Sequence, residues 1–186
     1  MIPIGYMAKR IVQRPDWLKA QNVVDLYSVS SCTSADFMDD LVDYAYETDS
    51  KINGWYFFDS PEQIQSVASQ RSIDLKETVL FYYEAHDLEY AAQGPRTFQP
   101  EPLMLVSVEV PSSKQLAGFD VVTFSTGRFA ECSPLSCNSL AGNIPTNSHC
   151  LLDSFDEAEA GLNSGKFLKG EAGPHRIIAV YLVDWP

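Results

Sequence analysis

The chain has 186 residues, of which 45% are hydrophobic and 12% aromatic, enough for a single domain spanning residues 1–186 with a full core. Its formal net charge of -12 argues against binding to nucleic acid or to an anionic membrane surface, since both need clustered lysine and arginine. Residues 1–16 contain no apolar stretch typical of a signal peptide, and no segment approaches the roughly 20 apolar residues of a membrane helix. We therefore expect a cytoplasmic protein.

The N-terminal half contains three apolar runs that predict strands, at residues 23–29, 55–58 and 78–83, the last extending as far as Tyr90. Residues 35–47 have apolar side chains at helical spacing and acidic side chains between them, which predicts an amphipathic surface helix. A second helix is predicted to begin at Ser60, because a serine N-cap followed by proline and then by glutamine three residues on is a typical helix start.

The C-terminal half contains predicted strands at residues 103–110, 119–125 and 176–183, with a short one at 150–152. Residues 176–183 are nearly all apolar, which is typical of a central strand. A third helix is predicted from Ser154, again a serine with an acidic residue three positions later. Six or seven strands and three helices predict an α/β or α+β fold, a mixed sheet with helices packed on it.

An internal repeat is suggested by two segments that align without gaps, residues 55–62 and 149–156. In both, apolar residues are followed by Asp-Ser and then by an acidic residue. Residues 23–28 also resemble 121–125. These matches predict two similar strand–helix–short strand–helix–strand halves, residues 20–90 and 117–185. The alternative is that this junction between a strand and a helix is a common one and recurs by chance.

Three of the four cysteines and one of the three histidines fall in a short stretch that begins at Cys132 and ends at Cys150. Cys132, Cys137 and His149 could together ligate a zinc ion, since thiolates and imidazoles are the ligands zinc prefers. The stretch lacks the CxxC spacing of zinc knuckles. If His149 and Cys150 lie on a strand, their side chains point in opposite directions and do not bind one ion.

A second interpretation of the same stretch is catalytic. Cys137 precedes a short predicted helix, a position that can lower the pKa of a thiol, and His149 could act as its base with Asp153 or Asn147 as orienting group. The third interpretation is structural, because unpaired cysteine is one of the most buried residue types. In a reducing cytoplasm these cysteines are expected to be free thiols or metal ligands rather than a disulfide.

Loop residues of this stretch, Cys132, Asn138 and Asp153, are further candidates for ligand binding, because binding residues concentrate on loops. Elsewhere, His86 is expected at a solvated strand end and His175 in a turn that opens the last strand. Lys9, Arg10 and Arg14 form a basic cluster in the N-terminal region and are expected to balance local acidity.

The segments 131–138 and 149–155, with 120–125 ahead of them, resemble a family of uncharacterised bacterial proteins. The resemblance covers most of the chain. It implies a soluble bacterial protein and assigns no activity and no catalytic residue.

The function predicted from these observations is binding: an acidic, inhibitor- or immunity-like protein that takes a protein partner or a small molecule and needs no cofactor. The prediction depends on the net acidity, the acidic helix at residues 35–47 and the lack of a complete catalytic set. Two alternatives remain open, a cysteine-based enzyme that uses Cys137 and His149, and a zinc-stabilised binding module.

Overall fold

The protein is described by a computed structural model that covers residues 1–30, 53, 55–100, 107–125 and 130–186. The predicted helix at residues 35–47 lies outside the described residues, as does the first half of the predicted strand at 103–110. The remaining residues of that strand, 107–110, are not in a strand.

The described elements are β-strands and short helices in an α+β arrangement, which confirms the predicted fold class. The N-terminal part contains β1 (Ile2–Lys9), β2 (Val12–Gln13), β3 (Asp25–Leu26), α1 (Pro61–Arg71), β4 (Val79–Ala85), β5 (Leu88–Ala91) and β6 (Gly94–Thr97). The C-terminal part contains β7 (Gln115–Thr123), α2 (Pro134–Cys137), α3 (Phe155–Asn163) and β8 (His175–Val183), with 3-10 turns at Leu140–Gly142 and Lys166–Lys169. No helix in the described ranges has the length and apolarity needed to cross a bilayer.

The main sheet is built around β8, as the nearly continuous apolar run predicts. β8 pairs along one edge with β4 and along the other with β7, and it also meets β5 through Tyr90 and His175. β1 pairs with β4, and β6 pairs with β5. All these pairings are antiparallel. β2 and β3 form a separate two-stranded sheet.

Both faces of the sheet are buried at its centre. Successive residues of β8, Ile177 and Ile178, belong to two different core clusters, and so do Val121 and Val122 of β7. Side chains alternate between the faces of a strand, so each cluster covers one face. Burial on both faces explains why β8 is almost entirely apolar.

Three of the predicted strands are wrong in extent. In the predicted strand at 150–152, only Leu152 makes a bridge, to Phe119 of β7. Residues 55–58 form a turn in which only Phe58 makes a bridge, to Tyr6 of β1, and the run at 23–29 contains only the two-residue strand β3. β1 is not among the predicted strands, because its glycine and proline interrupt the apolar pattern. In the structure, β1 pairs with β4 in the same antiparallel way that β7 pairs with β8. The run at 23–29 does not pair with β4.

The two helix starts follow the predicted capping pattern. Ser60 accepts a hydrogen bond from the backbone N–H of Gln63, and Ser154 accepts one from that of Glu157. In return, Gln63 accepts from the N–H of Asp59, and Glu157 accepts from the N–H of Asp153. Each capping box follows a residue that bridges to a strand. Phe58 bridges to Tyr6 of β1, and Leu152 bridges to Phe119 of β7.

Candidate functional site

Cys137, the predicted nucleophile, is the last residue of α2 and is disulfide-bonded. A sulfur held in a disulfide is neither a thiolate nucleophile nor a zinc ligand. The expectation of free thiols therefore holds for Cys132 and Cys150 but not for Cys137. The structure gives Cys137 neither of its predicted roles.

Among the described cysteines, Cys132 and Cys150 are free, buried and weakly acidic. Burial raises the pKa of the Cys132 thiol to about 12, and neighbouring carboxylates add to the effect. Burial also raises the pKa of Cys150 to about 12. A thiol becomes a nucleophile or a metal ligand as its thiolate, so both side chains are packing residues at neutral pH.

The predicted zinc ligands are not brought together. Within the described ranges, no group of three or more His, Cys, Asp and Glu side chains could hold a metal ion. The Cys132 sulfur lies 3.8 Å from Oδ1 of Asn138, whereas His149 contacts Asp25. The three residues therefore belong to separate surroundings.

Asn138 and Asp153, the other predicted ligand-binding residues, have structural contacts. Asn138 Oδ1 accepts the N–H of Glu171 at 3.1 Å, and its Nδ2 donates to the Glu171 carboxylate at 3.2 Å, which ties α2 to the loop before β8. Asp153 is exposed and belongs to the helix start described above. Neither residue shares a hydrogen-bond partner with His149 among the described residues.

His149 is paired with the carboxylate of Asp25 of β3. Its Nδ1 lies 2.6 Å from Oδ1 of Asp25, and its ring stacks on that of Tyr27 with centroids 4.0 Å apart and an interplanar angle of 12°. The backbone is held as well, because the N–H of Tyr27 donates to the carbonyl of His149. Asp25 takes the orienting role that was predicted for Asp153 or Asn147.

The pair leaves one nitrogen of His149 available. An ionised carboxylate can only accept a hydrogen bond, so Nδ1 must donate, and in the neutral ring Nε2 then has the lone pair. The His149 side chain is 33% exposed, and its Nε2 makes no hydrogen bond to the described part of the chain. The arrangement is that of a histidine oriented by a carboxylate.

The other two histidines lack such a nitrogen. In His86, Nε2 lies 3.2 Å from the carboxylate of Asp87, and Nδ1 is buried without a hydrogen-bond partner. His175 is buried as the first residue of β8, and its Nε2 is likewise buried without a partner. Of the three histidines, His149 alone presents an oriented and solvent-accessible nitrogen.

A second group of polar side chains is buried around Lys9, the last residue of β1, and Asp120 of β7. Asp120 accepts hydrogen bonds from the hydroxyl of Ser133 at 2.6 Å and from the N–H of Val29 at 2.8 Å. The Lys9 ammonium donates to the carbonyls of Ser28 and Val29. Burial lowers the pKa of Lys9 to about 7 and raises that of Asp120 to about 6. Lys9 is therefore an interior residue.

A third group is centred on Arg176 of β8, which is 1% exposed. Its guanidinium donates to Glu89 at 3.0 Å, and Glu89 also pairs with the exposed Arg96. The aromatic rings of Phe98, Phe124 and Trp55 surround the guanidinium at 3.4, 4.3 and 5.0 Å. An arginine that opens an apolar strand is the only sequence signal for this group.

A cavity of about 430 Å³, which we call the His175 cavity, opens beside this group. Its walls come from the β5–β6 hairpin, the end of α3, the 3-10 turn at Lys166–Lys169 and the loop before β8. Most of the lining is apolar, and it includes Tyr90, Arg96, Leu162, Leu168, Ala172 and His175. Leu168, on the rim, is 80% exposed. The sequence gives no signal for the cavity, because its walls come from segments distant in the chain.

Comparison with known proteins identifies no relative. The chain matches no family model, no curated protein and no solved structure.

Proposed function

We propose that this chain is a binding protein and that the His175 cavity takes a small, neutral organic molecule. The observation that carries the proposal is a cavity of about 430 Å³ with mainly apolar walls. Most of the large apolar side chains elsewhere in the described structure are buried. Binding sites for small molecules are typically apolar concavities of roughly 300 Å³ or more with a few polar groups.

The electrostatics of the walls favour a neutral molecule. Arg96, the charged residue of the lining, has its Nε 2.5 Å from the Glu89 carboxylate, so its charge is compensated. Burial lowers the pKa of His175, although a backbone hydrogen bond with Glu171 opposes this, so His175 is uncharged at neutral pH. A charged ligand would lose hydration without gaining an uncompensated opposite charge.

Two features of the cavity gain from an occupant. The side chain of Leu168 is exposed, and covering it would remove apolar surface from water. The Nε2 of His175 is buried without a partner, which is unfavourable for a polar atom. A ligand donor that reached this nitrogen would give it a hydrogen-bond partner.

The test uses indole as a neutral aromatic probe and methyl NMR as the readout. Indole is expected to shift the signals of Leu162, Leu168 and Ala172 in a saturable manner. The variant Ala172→Trp fills the cavity from its exposed rim and should abolish the shifts of Leu162 and Leu168. The control variant Ala160→Trp places the same side chain on an exposed position of α3 outside the cavity and should leave them intact. Shifts that are missing, or that survive in Ala172→Trp, contradict the proposal.

A second candidate is a basic protein partner, as an inhibitor- or immunity-like function would require. It is favoured by the net charge of -12 and by the exposed carboxylates of Asp153, Asp156 and Glu157 at the start of α3. Any partner identified must bind as a purified protein, with an affinity that falls as salt screens the charges. The variant with Asp153→Asn and Asp156→Asn should weaken that binding. Salt-independent binding would contradict a charge-driven interface.

A further inference from the structure

We propose that the His149–Asp25 pair is a nucleophilic site at which Nε2 of His149 accepts an acyl group from a small activated ester. The site is separate from the His175 cavity, since neither residue lines it. Three observations support the proposal: the lone pair is placed on one nitrogen, that nitrogen reaches solvent, and the ring is held in one orientation.

The lone pair is placed by Asp25. Free imidazole exchanges its proton between two nitrogens, whereas the 2.6 Å contact between Nδ1 and the carboxylate fixes the proton on Nδ1. The nucleophilic tautomer, with its lone pair on the exposed Nε2, is therefore the resident one. As Nε2 bonds to an acyl carbon, the ring becomes positive, and the adjacent carboxylate stabilises that charge.

The ring is held by stacking and by the backbone. Tyr27 lies parallel to it at 4.0 Å, and the N–H of His149 donates to Oδ1 of Asn147 at 2.9 Å. A ring fixed in advance loses less conformational entropy when it attacks an ester than a freely rotating side chain does. The reaction at His149 should therefore be faster than that of an ordinary exposed histidine.

The reaction with p-nitrophenyl acetate has two steps. In the first, the lone pair of Nε2 attacks the carbonyl carbon, the new N–C bond forms, and the C–O bond breaks with release of p-nitrophenolate. The proton on Nδ1 passes to solvent past the carboxylate of Asp25, which leaves a neutral acetylimidazole. Water then attacks the acetyl carbon and releases acetate, and the imidazole regains a proton on Nδ1. The sum is hydrolysis of one ester by one water.

The experiment measures p-nitrophenolate release per protein and locates the acetyl group by peptide mass mapping. We expect a second-order rate constant at least about ten-fold above that of N-acetylhistidine, which is below the roughly 10²–10⁴-fold that positioned acid–base groups contribute in complete active sites. The variant His149→Phe keeps a ring on Tyr27 but has no nitrogen, and it should lose the excess rate. His86→Gln, which alters the other Asp-paired histidine, should leave the rate unchanged.

Asp25 is a positioning residue in this proposal. Its test therefore includes a measurement that a purely structural role would not change. Ring ¹⁵N shifts should show Nδ1 protonated and Nε2 unprotonated in the wild type, and a mixture of tautomers in Asp25→Asn. The same variant should lower the acylation rate about ten-fold or more. A wild-type rate equal to that of N-acetylhistidine, acetylation elsewhere than at His149, or an Asp25→Asn variant with unchanged rate and tautomer would each overturn the proposal.

Discussion

Asn53 and Asn147 make the same hydrogen bonds in two separate places of the fold. Each donates through Nδ2 to the carbonyl of a residue in an outer strand, Ile4 of β1 or Ala117 of β7, at 2.9 Å in both cases. Each accepts through Oδ1 from two backbone N–H groups of the following turn, those of Trp55 and Phe57 or of His149 and Leu151. One amide side chain thus fastens a turn to a strand in each of the two places.

The glycines that follow those two carbonyls are equivalent as well. Gly5 and Gly118 both have positive φ angles, +128° and +147°, and both lie at a register shift of their strand. A Cβ at Gly5 would lie 2.6 Å from the carbonyl oxygen of Phe58, and one at Gly118 would lie 2.7 Å from that of Leu152. Their partners across the ladder, Tyr83 and Val180, pair with each other at the centre of the sheet.

The first prediction concerns these glycines. Gly5→Ala and Gly118→Ala should each lower the free energy of unfolding by more than about 3 kcal/mol, since the new methyl group meets backbone and the φ angle disfavours a side chain. Urea unfolding followed by circular dichroism measures the change.

Two glycines serve as controls for the separate causes. Gly94 has φ +107° but no atom within 4 Å of the place that a methyl group would take, so Gly94→Ala should cost only the backbone strain, about 1–2 kcal/mol. Gly142 has no positive φ and a nearest neighbour at 3.4 Å, so Gly142→Ala should change little. If Gly5→Ala and Gly94→Ala lowered the free energy of unfolding equally, the close contact with Phe58 would be unimportant.

The second prediction is a pH dependence caused by Lys9. Burial lowers the pKa of Lys9 from 10.5 to about 7, so between these values the unfolded chain retains a proton that the folded chain has released. The contribution of Lys9 to stability therefore rises with pH over this interval. Asp120 acts in a lower window: its pKa is raised from 3.8 to about 6, and its contribution falls as the pH rises through that range.

The variant Lys9→Met removes the titration of Lys9, and titrations of groups distant from Lys9 cancel in its difference from the wild type. Asp120 interacts with Lys9, so the difference reports the two groups together. The wild type should gain on the order of 2 kcal/mol relative to Lys9→Met between pH 6 and pH 9. Urea unfolding of both proteins at the two pH values tests this. Parallel stability curves would mean that the Lys9 ammonium stays charged in the folded protein.

The third prediction ranks changes in the Arg176 group. Glu89→Gln leaves the guanidinium of Arg176 buried without a counter-charge and should cost about 3–5 kcal/mol. Arg176→Met should cost less, because Met can pack among the same rings and Glu89 keeps its pair with Arg96. Arg96→Ala, at an exposed position, should cost under about 1 kcal/mol. Thermal unfolding gives the ranking, which fails if Arg176→Met is the most destabilised.

The fourth prediction concerns the thiols. Cys132 and Cys150 are buried and their pKa values are raised to about 12, so both should react with a thiol reagent only when the chain unfolds. Reaction at the same rate in folded and denatured protein would contradict this. Cys132→Ser should remove one reactive thiol from the denatured count and leave the folded protein as unreactive as before.

Much of the fold follows from local patterns in the sequence. The apolar run at 176–183 predicts the central strand, and the serine caps at Ser60 and Ser154 predict the two helix starts, because both signals act between residues close in the chain. β1 is missed since Pro3 and Gly5 break its pattern. The glycine is required by a close approach to Phe58, which is visible only once the chain is folded.

The candidate sites depend on contacts between distant residues. The order of residues alone places His149 in a loop-rich stretch near the cysteines, and it draws attention to that histidine because imidazole is reactive at neutral pH. The folded chain is needed to show that its partner is Asp25, that Cys137 is disulfide-bonded, and that Lys9 and Arg176 are buried. Spacing in a sequence constrains near neighbours, whereas burial and charge pairing are set by which strands meet, and those pairings join residues from opposite ends of the chain.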